Sequence, residues 1–286
     1  MLTRLRVLSP LGFYPARDIV TNSGRFIIED DIAFLMTSAD LGRGVSGPES
    51  VSEIEFLTLE EIRLLGCITI SWKEEHGSLS FYPIPHHIDL VLGPTSQRDE
   101  LLGVARRHVV SIQENYRSEG LTLPLAGVHS YSRQDREADD KLVDQLCDKV
   151  ASSHHLMLRG LSALVRAGML WRRREFQEQA IATLHVALAA SQELIFDILR
   201  KEGNPGPSSK EASARLALAF GDNPRGDAYF ADYYEDRIVV VHPRSRHGTF
   251  AFPPLAADDF YDLRTDLVAV FFWLLTGQVP ERVLVC

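Results

Sequence analysis

The chain has 286 residues, 45% of them apolar and 24% charged, with a net charge of -9 at pH 7. That composition suits a soluble globular protein of one large domain or two ordinary ones, and it excludes a chain too poor in core to fold without staples. The acidic balance, shared by residues 1–98 and the remainder, excludes a general nucleic-acid-coating role, so any RNA contact must be local.

Cys67, Cys147 and Cys286 are odd in number and far apart in the chain. They make neither a C-x-x-C pair nor a disulfide framework, which points to a reducing compartment. The opening "MLTRLRVLSPLGFYPARD" lacks the apolar run of a signal peptide. The longest apolar run, Leu267–Leu275, is shorter than the roughly 20 residues a bilayer span needs. The expected location is the cytoplasm, with no membrane contact.

Residues 1–97 hold short β-branched or aromatic segments, "GRFIIED", "IAFLM", "CITISW", "SLSFYPI" and "IDLVLG", punctuated by Gly, Pro, Asn and Ser. They predict a β-rich α+β domain. "WKEEHGSLSFY" reads as a hairpin turning at "EEHG". "LTLEEIRLLG" reads as a short helix, with Thr58 as N-cap, Glu61 completing a capping box and Gly66 as the stop.

Residues 98–133 are expected to form a helix and a linker. The helix carries its apolar stripe on Leu101, Leu102, Ala105, Val109 and Ile112. Residues 134–286 predict a helical bundle. One long helix runs from about Gln134 to Arg166 with a break at Gly160, and another from about Arg173 to Lys201. Ser209 caps a short helix ending near Phe220, and a last helix spans about Ala256 to Gly277. The whole is an α+β chain: an N-terminal β-containing domain, then an all-helical one.

"DAYFADYYEDRIVVVHP" admits two readings. "RIVVV" has strand propensity and can pair with "GTFAF" as a hairpin, which leaves Arg237 and His242 as unremarkable charged ends. Alternatively Asp227 caps a helix along which Tyr229, Tyr233, Arg237 and Val241 recur every four residues, and Pro243 ends it just after His242. His242 then sits at a helix C-terminus, where the dipole favours its protonated form. The two side chains are about 140° apart on an ideal helix. They converge if the end unwinds or if a second helix supplies the other wall.

An Arg followed by four residues and a His near the end of a helix, in a helical domain, resembles the HEPN family. The resemblance covers about residues 135–279. It rests on "FQEQAIATLHVALAASQELIFDIL" as the helix preceding the motif, "DRIVVVHP" as the motif, and "ADDFYDLRTDLVAVFFWLLTG" as the closing helix. The family implies a bundle of four or five helices that dimerises, so that two Arg/His pairs share a cleft, and its catalytic members are metal-independent endoribonucleases. On that resemblance Arg237 binds the scissile phosphate and His242 is the acid/base. The chemistry suits these types: an imidazole can take the ribose 2′-OH proton or return one to the leaving 5′-oxygen, and a guanidinium can clamp the phosphorane bidentately.

Arg244, Arg246 and His247 form a local basic cluster that reads either as a phosphate track or as a solvated loop. Glu193 reads either as a cleft-facing residue that orients the Arg or His, or as a surface glutamate. Exposed aromatics such as Tyr233 and Tyr234 are expected at a homodimer seam. The expected partners are RNA, a second copy and a regulatory protein, in a defence or toxin–antitoxin setting, with no cofactor and no metal. The alternative is a non-catalytic HEPN-like module binding RNA, a nucleotide or a protein. It is favoured by Ile238, which stands where cleaving members often carry a polar residue, and by the acidic charge. A third reading is a two-domain scaffold.

Gly42, Gly44 and Gly47 match G-x-G-x-x-G, but Pro48 and Ser50 follow where a helix should open, so a loop is expected. His86-His87 and His154-His155 point in different directions on any regular element and lack neighbouring ligands at metal spacing. His185, beside Ile181, Leu184 and Leu188, is read as a core histidine with a cleft position as the alternative.

Overall fold

β-Branched and aromatic runs over the first forty positions, continuous in "RFII" and "AFLM", suit pleated strands that are buried on both faces. In the computed structural model, which describes residues 2–11, 16–29, 32–39, 57–71, 80–120, 140–150, 155–221, 229–231, 233 and 257–280, they form strands. β1 (Thr3–Leu11), β2 (Arg17–Thr21), β3 (Gly24–Ile28), β4 (Ala33–Ser38) and β5 (Ser80–Leu90) form an antiparallel sheet in the order β2-β3-β4-β1-β5. The chain divides into two compact units. One takes in residues 1–148 apart from 69–71 and 75–78; the other takes in those two stretches and residues 149–286.

In the first unit one sheet face presents Leu5, Val7, Ile27, Phe34, Met36 and Ile84. α2 (Arg98–Ser118) covers it with Leu101, Leu102, Ala105 and Ile112. The stripe expected on this helix is therefore a sheet-facing stripe. The helix is a layer of the first unit, and the linker expected after it lies outside the described residues.

The other face carries Phe26, Ile28 and Leu35, and it also carries Arg6, which is 1% exposed. Between the pairs Arg6↔His87 and Leu8↔Pro83 the ladder shifts, because β5 holds more residues than β1 across that stretch. Pro83 and Pro85 suit an edge strand and a bulge, where a missing N–H is tolerated. The bulge would leave the carbonyls of Ile84 and Pro85 without ladder partners. The Arg6 guanidinium supplies them, at 2.9 and 2.8 Å, while its Nε donates to Glu61 Oε1 at 2.7 Å.

Glu61 lies in α1 (Leu59–Ser71). The expected capping box is present: the Glu61 N–H donates to Thr58 Oγ1 at 3.1 Å, and the Thr58 N–H donates to Glu61 Oε2 at 2.8 Å. The predicted stop at Gly66 is corrected, since the helix continues to Ser71 and absorbs most of the segment predicted as the strand "CITISW". Leu64, Leu65, Cys67 and Ile68 are all buried on it, so core contacts outweigh a glycine and local β-propensity.

α3 (Asp140–Lys149) follows: Asp144 and Asp148 accept hydrogen bonds from Asn22 at the β2–β3 turn, and the Cys147 carbonyl accepts from Arg63 Nε at 2.7 Å. Cys67 and Cys147, distant in sequence, meet here as buried free thiols. A hydrogen bond between them and their burial hold the Cys67 thiol well above its ordinary pKa.

The second unit comprises α4 (His155–Trp171), a 3₁₀ turn (Arg174–Phe176), α5 (Gln177–Lys201), α6 (Ser209–Phe220) and α7 (Ala257–Thr276). The single helix predicted over 134–166 is instead two helices, α3 and α4, and Gly160 is not the break. It lies inside α4, where a Cβ would stand 2.2 Å from Phe271 Cζ, so its missing side chain lets α7 approach. α6 is capped by Ser208 rather than Ser209, with Glu211 completing the capping box. The Ser208 backbone and hydroxyl donors hold the Glu211 carboxyl below its usual pKa.

Residues Arg174–Lys201 are long and apolar enough by composition to cross a membrane. Here α5 is a core helix, with Ala180, Ile181, Leu184, Ala187, Leu188, Leu194 and Ile195 buried. The antiparallel sheet followed by packed helices makes the chain α+β.

Candidate functional site

Along α5, Ala182, His185, Val186, Ala189, Ala190 and Glu193 recur at the spacing of one helical face. Across from them α4 contributes Leu156 and Arg159, and together these residues line a half-open groove of about 440 Å³. The volume exists because three of the α5 positions are alanines and leave a trough between the helices. It falls within the size range of small-ligand sites.

The polar groups of the cavity differ in exposure. His185 is 3% exposed and forms part of the wall. Arg159 is exposed, and its side chain joins no hydrogen bond or ion pair among the described residues. Glu193, with a half-exposed side chain, lies 3.7 Å from Arg200, which also binds Asp197 at 2.7 Å. A guanidinium able to take a bidentate oxyanion, an imidazole able to carry a proton and a carboxylate able to orient either therefore border one space.

Of the site residues expected from the sequence, Glu193 lines this cavity. Arg237, His242, Arg244, Arg246 and His247 lie outside the described residues, as do Ile238, Tyr234 and the glycines of the G-x-G-x-x-G stretch. The helical reading of residues 227–243 is described only at its start, where Tyr229, Phe230, Ala231 and Tyr233 are helical. The Tyr229 and Tyr233 rings meet at 5.1 Å, as helical i, i+4 neighbours can. Tyr233 is corrected from an exposed seam residue to a buried one: it is 3% exposed, and its hydroxyl donates to Asp266 Oδ2 at 2.8 Å.

Sequence reasoning missed Arg159, while its core reading of His185 holds, since that residue is 3% exposed and lines the groove from within the wall. The available sign was the alanines three and four residues from His185 on the open side, which leave room beside an imidazole. His86 and His87 are exposed on β5; partial desolvation of the His87 ring against the strand, and after it the Arg4 and Arg6 charges, lower its pKa. Three comparisons were made with known proteins: no family model, no curated protein and no solved structure matches the chain significantly.

Proposed function

We propose that the chain is a HEPN-type, metal-independent endoribonuclease whose helical unit binds and cuts RNA. The observation that carries this reading is the groove between α4 and α5, which Arg159, His185 and Glu193 all line. It lies on the helix that the family resemblance places before the Arg/His motif, and it includes Glu193, for which a cleft-facing position was one of the two readings of the sequence. In this reading Arg237 clamps the scissile phosphate and His242 moves the proton. The 2′-oxygen bonds to phosphorus as the P–O5′ bond breaks. The proton leaves the 2′-OH and a proton is returned to O5′, giving 2′,3′-cyclic phosphate and 5′-hydroxyl ends. Arg159 holds a neighbouring phosphate. A homodimer brings a second Arg/His pair to the cleft, and the sheet unit selects the target or a regulatory partner. The adjacent free thiols Cys67 and Cys147 support a reducing, cytoplasmic setting.

The test is incubation of labelled RNA with the full chain in EDTA, beside Arg237→Ala and His242→Ala. Loss of about 10²- to 10⁴-fold in cleavage rate in His242→Ala is expected, the range for removing a general acid/base. Cleavage that persists in both variants overturns the assignment. RNA binding without cleavage, lost with Arg237→Ala, selects the binding-module reading, which Ile238 favours.

A further inference from the structure

The turn between α4 and α5 has a composition unlike the rest of this acidic chain. α4 ends at Trp171, and Arg172, Arg173 and Arg174 follow before Phe176 closes the 3₁₀ turn. Arg173 and Arg174 are exposed, and neither side chain makes a hydrogen bond or ion pair among the described residues. Other arginines of the same unit are neutralised: Arg200 by Glu193 and Asp197, and Arg215 by Glu202 at 2.8 Å. Arg173 and Arg174 are thus two consecutive exposed cations, with Glu175 the one carboxylate inside the same short turn.

The same corner carries a fixed aromatic edge. Trp171 stacks on Phe260 with ring centres 4.1 Å apart and planes 1° apart. Its Nε1–H donates to the Tyr261 hydroxyl at 3.1 Å, and the two rings meet edge to face at 5.8 Å. Tyr261 is therefore held in place while 38% exposed, and Phe176 is 45% exposed. Ordered rings cost little further entropy when a flat ligand stacks on them.

We infer that this α4–α5 corner is a docking surface for single-stranded RNA, with Arg173 and Arg174 taking backbone phosphates and Tyr261 and Phe176 stacking bases. Phosphate alone would use the guanidinium groups and leave the rings idle. An acidic peptide would use them likewise. Adjacent cations and exposed rings together match a strand that alternates charge with π-faces. Duplex RNA, whose bases are already stacked, matches less well. The inference does not depend on Arg237 and His242 and stands whether or not that pair cuts.

The experiment is fluorescence anisotropy of the full chain with a 2′-O-methyl oligouridine, which lacks the 2′-hydroxyl nucleophile and so reports binding without cleavage. Arg173→Ala/Arg174→Ala is expected to weaken binding and to flatten the log–log salt slope by about 1.4, for two phosphate contacts on a single strand. Tyr261→Ala is expected to weaken it roughly five- to 150-fold, the value of one lost base stack, and Tyr261→Phe to retain most of it. Unchanged affinity in the double arginine variant overturns the proposal, as does equal competition by inorganic polyphosphate, which would leave the rings without a role. Binding lost in Arg237→Ala but kept in the double variant also overturns it while leaving the cleavage reading intact.

Discussion

The two units spend their charges differently. In the sheet unit, Arg6 and Glu61 are buried together, Arg25 is clamped by Asp18 through two bonds of 2.6 Å, and Arg4 pairs with Asp89 at 3.2 Å. These cations are committed to holding strands and helices in register. In the helical unit Arg200 and Arg215 are paired at the surface, whereas Arg159, Arg173 and Arg174 stay unpaired among the described residues at a groove and at a corner. Paired buried charge specifies a fold, whereas unpaired cations beside a cavity or an exposed ring are available to a ligand. Under the proposed function, the paired cations of the first unit serve architecture and the unpaired ones of the second serve recognition.

The largest effect expected from breaking that contrast is in the sheet unit. Glu61→Ala leaves Arg6 buried without its carboxylate and removes half of a capping box, which should cost about 3–5 kcal/mol in urea unfolding. A loss below about 1 kcal/mol, the range of an exposed pair, would mean that Arg6 reaches water. In the helical unit the matching test is steric. Gly160→Ala forces a Cβ into the Phe271 ring and should cost about 1–3 kcal/mol, with part regained in Gly160→Ala/Phe271→Leu; simple additivity would show that the two helices do not meet there.

A smaller effect is expected at the α6 cap, where Ser208→Ala should cost about 0.5–2 kcal/mol, with faster amide exchange at the start of that helix. The smallest comes from pH. His87 and His108 titrate below the ordinary histidine value, chiefly through burial and secondarily through neighbouring positive groups, Arg4 and Arg6 for His87 and the adjacent histidines His86 and His87 for His108. Their folded forms bind a proton less readily than the unfolded chain, so the sheet unit should lose stability as pH falls below about 6.5 and stop losing it below the folded values. Unfolding midpoints at pH 7.5 and 5.5 should differ in that direction, and His108→Gln should narrow the gap.

Much of the fold was legible because its cues are local. The capping box at Thr58 and Glu61 and the closing helix ending beside Gly277 follow from short-range spacing, and both are present. What the sequence hid was tertiary. Gly66 and Ile68 look like a stop and a strand until the core beneath α1 is known, and Gly160 looks like a break until Phe271 packs on it. The apolar stripe on α2 was visible, but not that it faces the sheet. At the candidate site, Glu193 was named from its place on the helix before the motif. Arg159 was not, because it reaches the cavity from a helix that no short motif ties to α5.

The most direct test of the division of labour is to neutralise one cation in each unit and titrate the full-length variants with uncleavable RNA. Arg159→Ala should weaken binding by about tenfold, the share of one charge-assisted contact, and Arg4→Ala should leave affinity unchanged. Equal affinity for wild type and Arg159→Ala, or a loss confined to Arg4→Ala, would contradict the account.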